Sequence, residues 1–253
     1  MRPLRASIVT TILVSLALGG CRSREPDDSE YRMARAERRQ RADEPVAPAT
    51  PPDTEAPSAP PPAAPAEPAP VPAGLLQPGV EEQAPATYAV RLETTEGPVT
   101  IDVTRAWAPK GADRFYNLIR HGYYDDVRFH RAVPGFITQW GVSGDPEVSA
   151  VWYERGMADD SVAVSNTRGR IAFAFTEPGT RSTQVFISMG DNARLDTQGF
   201  APFGRVVEGM DSVVDSIYTG YGENSGGGVR RGDQSRIVSE GNAYLDAEFP
   251  ELD

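Results

Sequence analysis

The run FHRAVPGFITQWG, residues 129–141, sets Arg131 and Gln139 among bulky apolar side chains around the pair Pro134-Gly135. A half-buried strand would keep its polar residues on one face. A guanidinium is always charged, and its N–H donors sit in a rigid fork that aims hydrogen bonds. Such a fork at the lip of a shallow apolar pocket suits a proline ring in the pocket and a polar atom of its backbone beside the fork. This chemistry needs no nucleophile, and the rest of the chain offers none in a recognisable setting. There is no GxSxG elbow. Two histidines, His121 and His130, leave little for a metal site or a Ser-His-Asp arrangement. The single cysteine, Cys21, excludes disulfides within the chain and cysteine zinc sites. The acids of GDPEVSAVWYERGMADD (144–160) lack calcium-loop spacing and read as a solvated loop. GYGENSG has Ser225 where a dinucleotide motif needs its last glycine, and no βαβ context surrounds it. No metal and no cofactor is called for.

The elements that must position this run are short. TYAVRLETTEGPVTIDVT (87–104) alternates, with Tyr88, Val90 and Leu92 facing one way and Arg91 and Glu93 the other. After the turn Thr95-Glu96-Gly97-Pro98, Val99, Ile101 and Val103 alternate again, which predicts a β-hairpin. From Pro109, PKGADRFYNLIRHGYY places Phe115, Leu118 and Ile119 on one helical face. Residues 127–140 read as two extended pieces about Pro134-Gly135, and RIAFAF (170–175), TQVFIS (183–188) and FAPFGRVV (200–207) as further strands. EGMDSVVDSIYTG (208–220) reads as a second helix burying Met210, Val213, Val214 and Ile217. GYGENSGGG (220–228) reads as a flexible loop, and SRIVSEGNAYL (235–245) as a last strand. Short strands with two isolated helices favour a barrel or sandwich with helical plugs over a βαβ fold. Phe136 and Gln139 are three apart and cannot share one face of a regular strand; a bulge would re-aim one of them.

The 253 residues allow one or two domains. A net charge of −11 argues against nucleic acid as a partner. Residues 1–21 have a positive start, Arg2 and Arg5, and then an apolar run from Ala6 to Ala17 that is short for a membrane span and built like an export signal. Leu18-Gly19-Gly20-Cys21 resembles the lipobox of bacterial lipoproteins, whose cysteine is lipidated and becomes the new N-terminus. An ordinary signal peptide ending in cysteine is the competing reading. Residues 22–86, charged and then Pro/Ala-rich, cannot bury enough apolar surface to offset their ordering entropy. They predict a disordered, polyproline-like tether; at about 3.1 Å per residue, about forty residues reach on the order of 100 Å. Residues 87–253 are the folded domain.

Three blocks, in order, carry a resemblance to the cyclophilins. FHRAVPGFITQWG is similar to their Phe-His-Arg, Pro-Gly-Phe and Gln-Gly run, STQVFIS (182–188) to their Ser-Gln-Phe-Phe-Ile segment, and LDTQGFAPFGRVVEGMD (195–211) to their Leu-Asp, Phe-Gly-(Arg/Lys)-Val and Glu-Gly-Met-Asp series. The resemblance spans roughly residues 87–218. It implies a mainly β fold, a closed eight-stranded antiparallel β-barrel capped by two α-helices, and peptidyl-prolyl cis–trans isomerisation. It also implies roles. Arg131 matches the residue that donates to the proline nitrogen, and Gln139 the glutamine that holds the arginine and touches the substrate backbone. Phe136, Phe186 and Leu195 match walls of the proline pocket, with Ile137 where methionine is frequent. Gln184 and Ala174-Phe175-Thr176 match positions that bind the residues before proline. Three positions depart: Phe200 stands where a rim histidine is frequent, Arg194 where tryptophan is frequent, and Phe175 where asparagine is common. His130 belongs to the motif beside the substrate, but a structural histidine is the reading its chemistry favours, since no proton is transferred.

The reaction suits these residues. An X-Pro amide resists rotation by about 18–20 kcal/mol because nitrogen donates into the carbonyl, and the uncatalysed step takes tens to hundreds of seconds. As the amide twists, the nitrogen regains its lone pair, so a donor aimed there stabilises only the transition state. The implied partners are proline-containing unfolded or flexible polypeptides, met by a monomer, and a membrane reached through Cys21. The expected place is the periplasmic side of a bacterial envelope. Arg22 stands where an aspartate would signal inner-membrane retention, which points to the outer membrane. A proline-peptide binding module without turnover, or a holdase-type scaffold, is the rival; the retained Arg131 argues against it.

Overall fold

The computed structural model describes residues 5–9, 72–76, 79, 82–226 and 234–253. Cys21 and nearly all of the stretch read as a tether lie outside the described residues.

One antiparallel sheet organises the chain. Its strands are β1 (Arg5–Val9), β2 (Thr87–Thr94), β3 (Gly97–Thr104), β4 (Arg131–Val133), β5 (Ile137–Trp140), β6 (Arg170–Phe173), β7 (Val185–Ser188) and β8 (Pro202–Glu208). They lie in the order β1-β2-β3-β8-β6-β7-β5-β4. The β2–β3 hairpin forms as the alternation predicts, with Val90 opposite Ile101 and Leu92 opposite Val99, all buried. Among the described residues five α-helices accompany the sheet: α1 (Ala73–Leu76), α2 (Pro109–Arg120), α3 (Pro146–Trp152), α4 (Gln234–Glu240) and α5 (Asn242–Glu248). The main core lies between the sheet and α2. There Phe115 packs on Phe203 at 5.0 Å and on Tyr124 at 5.5 Å, and Phe173 packs on Phe203 at 5.3 Å between ring centroids.

Several expectations are corrected. The sheet is not a closed barrel: its ladders end at β1 and β4, and only seven of the eight strands come from residues 87–253. The segment expected as the last strand is instead α4 and α5. Ile237 from the first of these helices and Tyr244 and Leu245 from the second bury together with Val142. Gly241 separates the two helices at φ +62°, with its Cα against the Gly144 carbonyl, so no side chain fits there. In place of a closing strand, β1 pairs along the outer edge of β2, with Arg5 opposite Glu93 and Val9 opposite Ala89.

The two-helix cap is also different. EGMDSVVDSIYTG is a series of turns with one 3-10 turn, Val214–Ser216. Gly209 at φ +86° starts it, and its carbonyl accepts from both Val213 and Val214. Val213, Val214 and Ile217 are buried as expected, while Met210 is only partly so. The expected loop 144–160, conversely, contains α3. Asp145 caps it by accepting from the Glu147 N–H at 2.7 Å, Pro146 opens it, and Val148 and Trp152 bury one face. Those signals were present in the sequence.

Residues 72–76 and 82–86, read as the end of the tether, lie against the domain. Leu75 and Ala84 are buried. The Leu75 carbonyl accepts from Trp152 Nε1 at 2.9 Å, and Asn117 exchanges two hydrogen bonds with the backbone of Glu82 at 3.0 and 2.7 Å. A chain beginning at Thr87 uncovers Trp152 and leaves the Asn117 side-chain oxygen without its donor, though Nδ2 keeps Asp113 O. It is expected to lose about 2–4 kcal/mol, measured as a lower urea midpoint than that of a chain beginning at residue 69. Equal midpoints would show the contacts to be idle.

Candidate active site

Cross-strand register sets the site. Arg131 on β4 lies opposite Gln139 on β5, Gln139 opposite Phe186 on β7, and Phe186 opposite Ala172 on β6. One transverse row of the sheet therefore carries the guanidinium, the amide and the first ring of the pocket on one face. Ile137, two residues from Gln139, shares that face. Phe136 precedes β5 in the turn, its N–H donating to Val133 O at 3.0 Å and its carbonyl accepting from Met189 N at 2.8 Å and Asn192 Nδ2 at 2.7 Å. No bulge is needed to bring Phe136 beside Gln139, because Phe136 is not in the strand. Gly135 turns the chain at φ +70°, and its carbonyl lies so close to Gly190 that no side chain would fit at that second glycine.

The pocket wall is an apolar cluster separate from the main core. It consists of Ile137, Ala172, Phe186 and Leu195, with Phe136, Ala174 and Phe200 partly buried against it. Phe200 packs edge-on to Phe186 at 5.6 Å and against Phe175 at 4.3 Å. Phe175 is itself backed by the guanidinium of buried Arg181, 3.7 Å from the ring centroid, which also pairs with Asp159. Arg194 lies over the outer ring Phe136 at 4.6 Å. At two of the three departures a ring pair, Phe175 and Phe200, extends the apolar wall; at the third, Arg194 covers Phe136.

Leu195 and Phe200 are held by Asp196, which accepts from Asn166 at 2.9 and 2.7 Å; Asn166 Nδ2 also reaches Phe200 O at 2.8 Å. Burial works to raise the Asp196 carboxyl, but the hydrogen bonds from Ser165 and Asn166 outweigh it and hold it below the usual carboxylate range.

The fork is at the mouth. Arg131 is 9% exposed, with its Cζ 5.6 Å from the Phe136 centroid. Nη1 donates to Gln139 Oε1 at 3.1 Å and Nη2 to the carboxylate of Glu223. Gln139 Nε2 donates in turn to Gln184 Oε1 at 2.8 Å, and Gln184 meets Gln234 of α4 at 3.1–3.2 Å. The cleft has a volume of about 1030 Å³. It brings together Arg131, Phe136, Ile137, Gln139, Ala174, Phe175, Thr176, Gln184, Phe186, Arg194, Leu195 and Phe200.

His130 is the one named site residue that does not line it. His130, just before β4, is 1% exposed, with its ring buried next to Gln184 behind the cleft lining. Burial pushes the His130 imidazole down to about 4 and keeps it neutral.

Glu223, Gln234 and Val238 also line the cleft, and so do Tyr153 and Glu154 just after α3. Sequence reasoning missed all five. Glu223 sits in a glycine-rich loop, 92 positions from Arg131, and nothing local marks it.

The family profile for cyclophilin-type peptidyl-prolyl cis-trans isomerase/CLD matches residues 89–239, more than half of the chain. Among curated proteins the chain is similar to a peptidyl-prolyl cis-trans isomerase-like 3 of Rhizopus delemar, 34% identical over 139 residues, 51% of this chain and 81% of that one. It is likewise similar to a peptidyl-prolyl cis-trans isomerase of Acinetobacter baylyi, 32% identical over 153 residues, 54% of this chain and 76% of that one. Among solved structures it is similar to a cyclophilin-type isomerase of Cryptosporidium parvum crystallised in the presence of the dipeptide Ala-Pro, at 26% identity and TM-score 0.44, covering 51% of this chain and 86% of that one. The three sequence blocks, the transverse Arg131-Gln139-Phe186 row and the profile match fall on the same residues. This chain belongs to the cyclophilin-type peptidyl-prolyl cis-trans isomerases.

Proposed function

We propose that this isomerase is exported, held at a bacterial cell envelope by acylated Cys21, and acts as a monomer on X-Pro bonds of unfolded or flexible polypeptides, where rotation limits folding. In this reading the proline ring sits against Phe136, Ile137, Phe186, Leu195 and Phe200. The residues before proline run along Ala174, Phe175, Thr176 and Gln184. Arg131 donates to the imide nitrogen as it becomes pyramidal, and Gln139 keeps the fork in place. The observation that carries the reading is the apolar cluster set apart from the core with the Arg131 guanidinium across its mouth.

No bond is broken, so the groups act only by position and charge. A 10⁵-fold acceleration requires about 7 kcal/mol of differential stabilisation. One directed charge-assisted hydrogen bond supplies a part of it, and fixed placement of the flanking backbone the rest. An open cleft, whose proline end is walled by Phe136, Phe186 and Phe200, tolerates many residues around proline.

The anchor reading has a structural consequence. Cleavage before Cys21 removes β1 and bares the outer edge of β2, but the cleft is built on β4–β7 at the other end of the sheet. The site therefore does not depend on the leader. The test uses the full-length protein expressed in a bacterium. A cis-enriched Xaa-Pro peptide should be turned over by the membrane fraction, and labelled fatty acid should enter the wild-type chain and not Cys21→Ser. Turnover without label in the wild type would leave the isomerase and discard the anchor.

A further inference from the structure

We propose that Glu223 is a positioning residue for the isomerisation: its carboxylate, with Gln139, fixes the plane of the Arg131 fork before substrate arrives. The inference rests on the reading of Arg131 as the donor. Its carrier is the way residues 219–226 are bound to β4 on either side of that arginine. Gly222 O accepts from Ala132 N at 3.2 Å, and the fully buried Ser225 donates through Oγ to His130 O at 2.7 Å. The loop is tightened by Gly222 N to Thr219 O at 3.1 Å and Asn224 N to Tyr221 O at 2.9 Å. Glu223 thus hangs from two attachments one residue away from Arg131 on each side, and its carboxylate takes Nη2 while Gln139 takes Nη1.

A guanidinium gripped at both terminal nitrogens cannot turn about its Cδ–Nε bond without breaking one grip. Each terminal nitrogen keeps one N–H that neither acceptor uses. These two are therefore presented in a set direction, and the twisting amide meets a donor already oriented rather than one that must be ordered at the barrier. The glutamine alone, on one corner, leaves the fork a hinge.

The variants that separate geometry from charge are Glu223→Gln and Glu223→Asp. Gln keeps the acceptor atom at the same reach and drops the charge; Asp keeps the charge and withdraws the acceptor by one methylene. Exchange broadening of a cis/trans peptide at saturating protein measures turnover and Kd separately. We expect E223D to lose about tenfold in turnover with Kd unchanged, and E223Q to stay within about threefold of wild type. Guanidinium N–H signals of Arg131, sharp in the wild type and E223Q, should average in E223D. The inference is overturned if E223D turns over as fast as wild type or faster, or if E223Q is the slower of the two. It is distinct from the underlying reading: Arg131→Ala run alongside must lose turnover, and if it does not, the reading of Arg131 fails first.

Discussion

Replacing Arg131 by alanine is expected to remove most of the turnover and little of the binding. Turnover on a cis-enriched Xaa-Pro peptide should fall about 10²–10³-fold, the loss typical of deleting one donor aimed at transition-state charge. Peptide Kd should move by less than about threefold, because the rings that hold the proline, Phe136, Phe186, Leu195 and Phe200, are untouched. The split follows from when the donor acts. In both planar isomers the nitrogen lone pair is committed to the carbonyl and offers nothing to a guanidinium; only the twisted amide does. Arg131→Lys should fall between, since a single ammonium cannot hold Gln139 and Glu223 and still present a directed donor. Alanine also leaves the Glu223 carboxylate and the Gln139 amide without their partner, at about 1–3 kcal/mol for each buried group. Thermal unfolding must therefore show the variant folded at the assay temperature. A folded R131A protein with wild-type turnover would discard the mechanism.

The parts legible in the sequence are those in which one local pattern decides one outcome. The β2–β3 hairpin followed from alternation and a turn, α2 from the spacing of Phe115, Leu118 and Ile119, and both took the predicted form. Twelve of the thirteen cleft and motif residues named from the sequence line one cavity because register, not contiguity, aligns Arg131, Gln139 and Phe186. The family resemblance supplied the residues; the register that joins them shows only in the structure. What was misread depends on tertiary context. Residues 235–245 have no alternation and suggest a strand only through their few apolar residues; two short helices meeting at Gly241 instead bring Ile237, Tyr244 and Leu245 together with Val142. Glu223 was illegible for a different reason: a carboxylate in a glycine-rich loop has no local signal, and its meaning comes from two hydrogen bonds to β4. Barrel closure failed with the last strand, since a sheet closes only if its final edge finds a partner.

Acid should destabilise this protein early, through His130. Burial pushes the imidazole down to about 4, and the neighbouring Arg131 guanidinium further opposes a second positive charge. In the unfolded chain the same group titrates near its ordinary value of about 6.5. Between those values the unfolded state holds a proton that the folded state does not, so stability falls as pH falls through that window and is intact above it. The loss is about 2 kcal/mol by pH 5 and approaches about 3 kcal/mol below pH 4. Carboxylates act in a lower window. Burial raises Asp113 and Asp196, but hydrogen bonds from Arg105 and Ala84 to the first, and from Ser165 and Asn166 to the second, hold both below the usual range. Their contribution is therefore present above about pH 4 and lost beneath it. In urea midpoints measured from pH 7 to pH 5 the histidine dominates, opposed by Glu96, whose carboxyl is raised above the usual range by burial. His130→Gln, which cannot be charged, should flatten that interval by most of the 2 kcal/mol, whatever its stability at pH 7. An unchanged slope would mean the ring finds solvent in the folded state. The location ties this to activity: His130 O is the acceptor that fixes Ser225, and through it the loop carrying Glu223. Opening β4 to admit a proton at residue 130 loosens the grip on Arg131. Because the folded ring takes that proton only near pH 4, turnover should hold level from pH 7 to pH 5 while the urea midpoint falls, and decline only as the pH nears 4; in His130→Gln the urea midpoint should lose its slope over the upper interval.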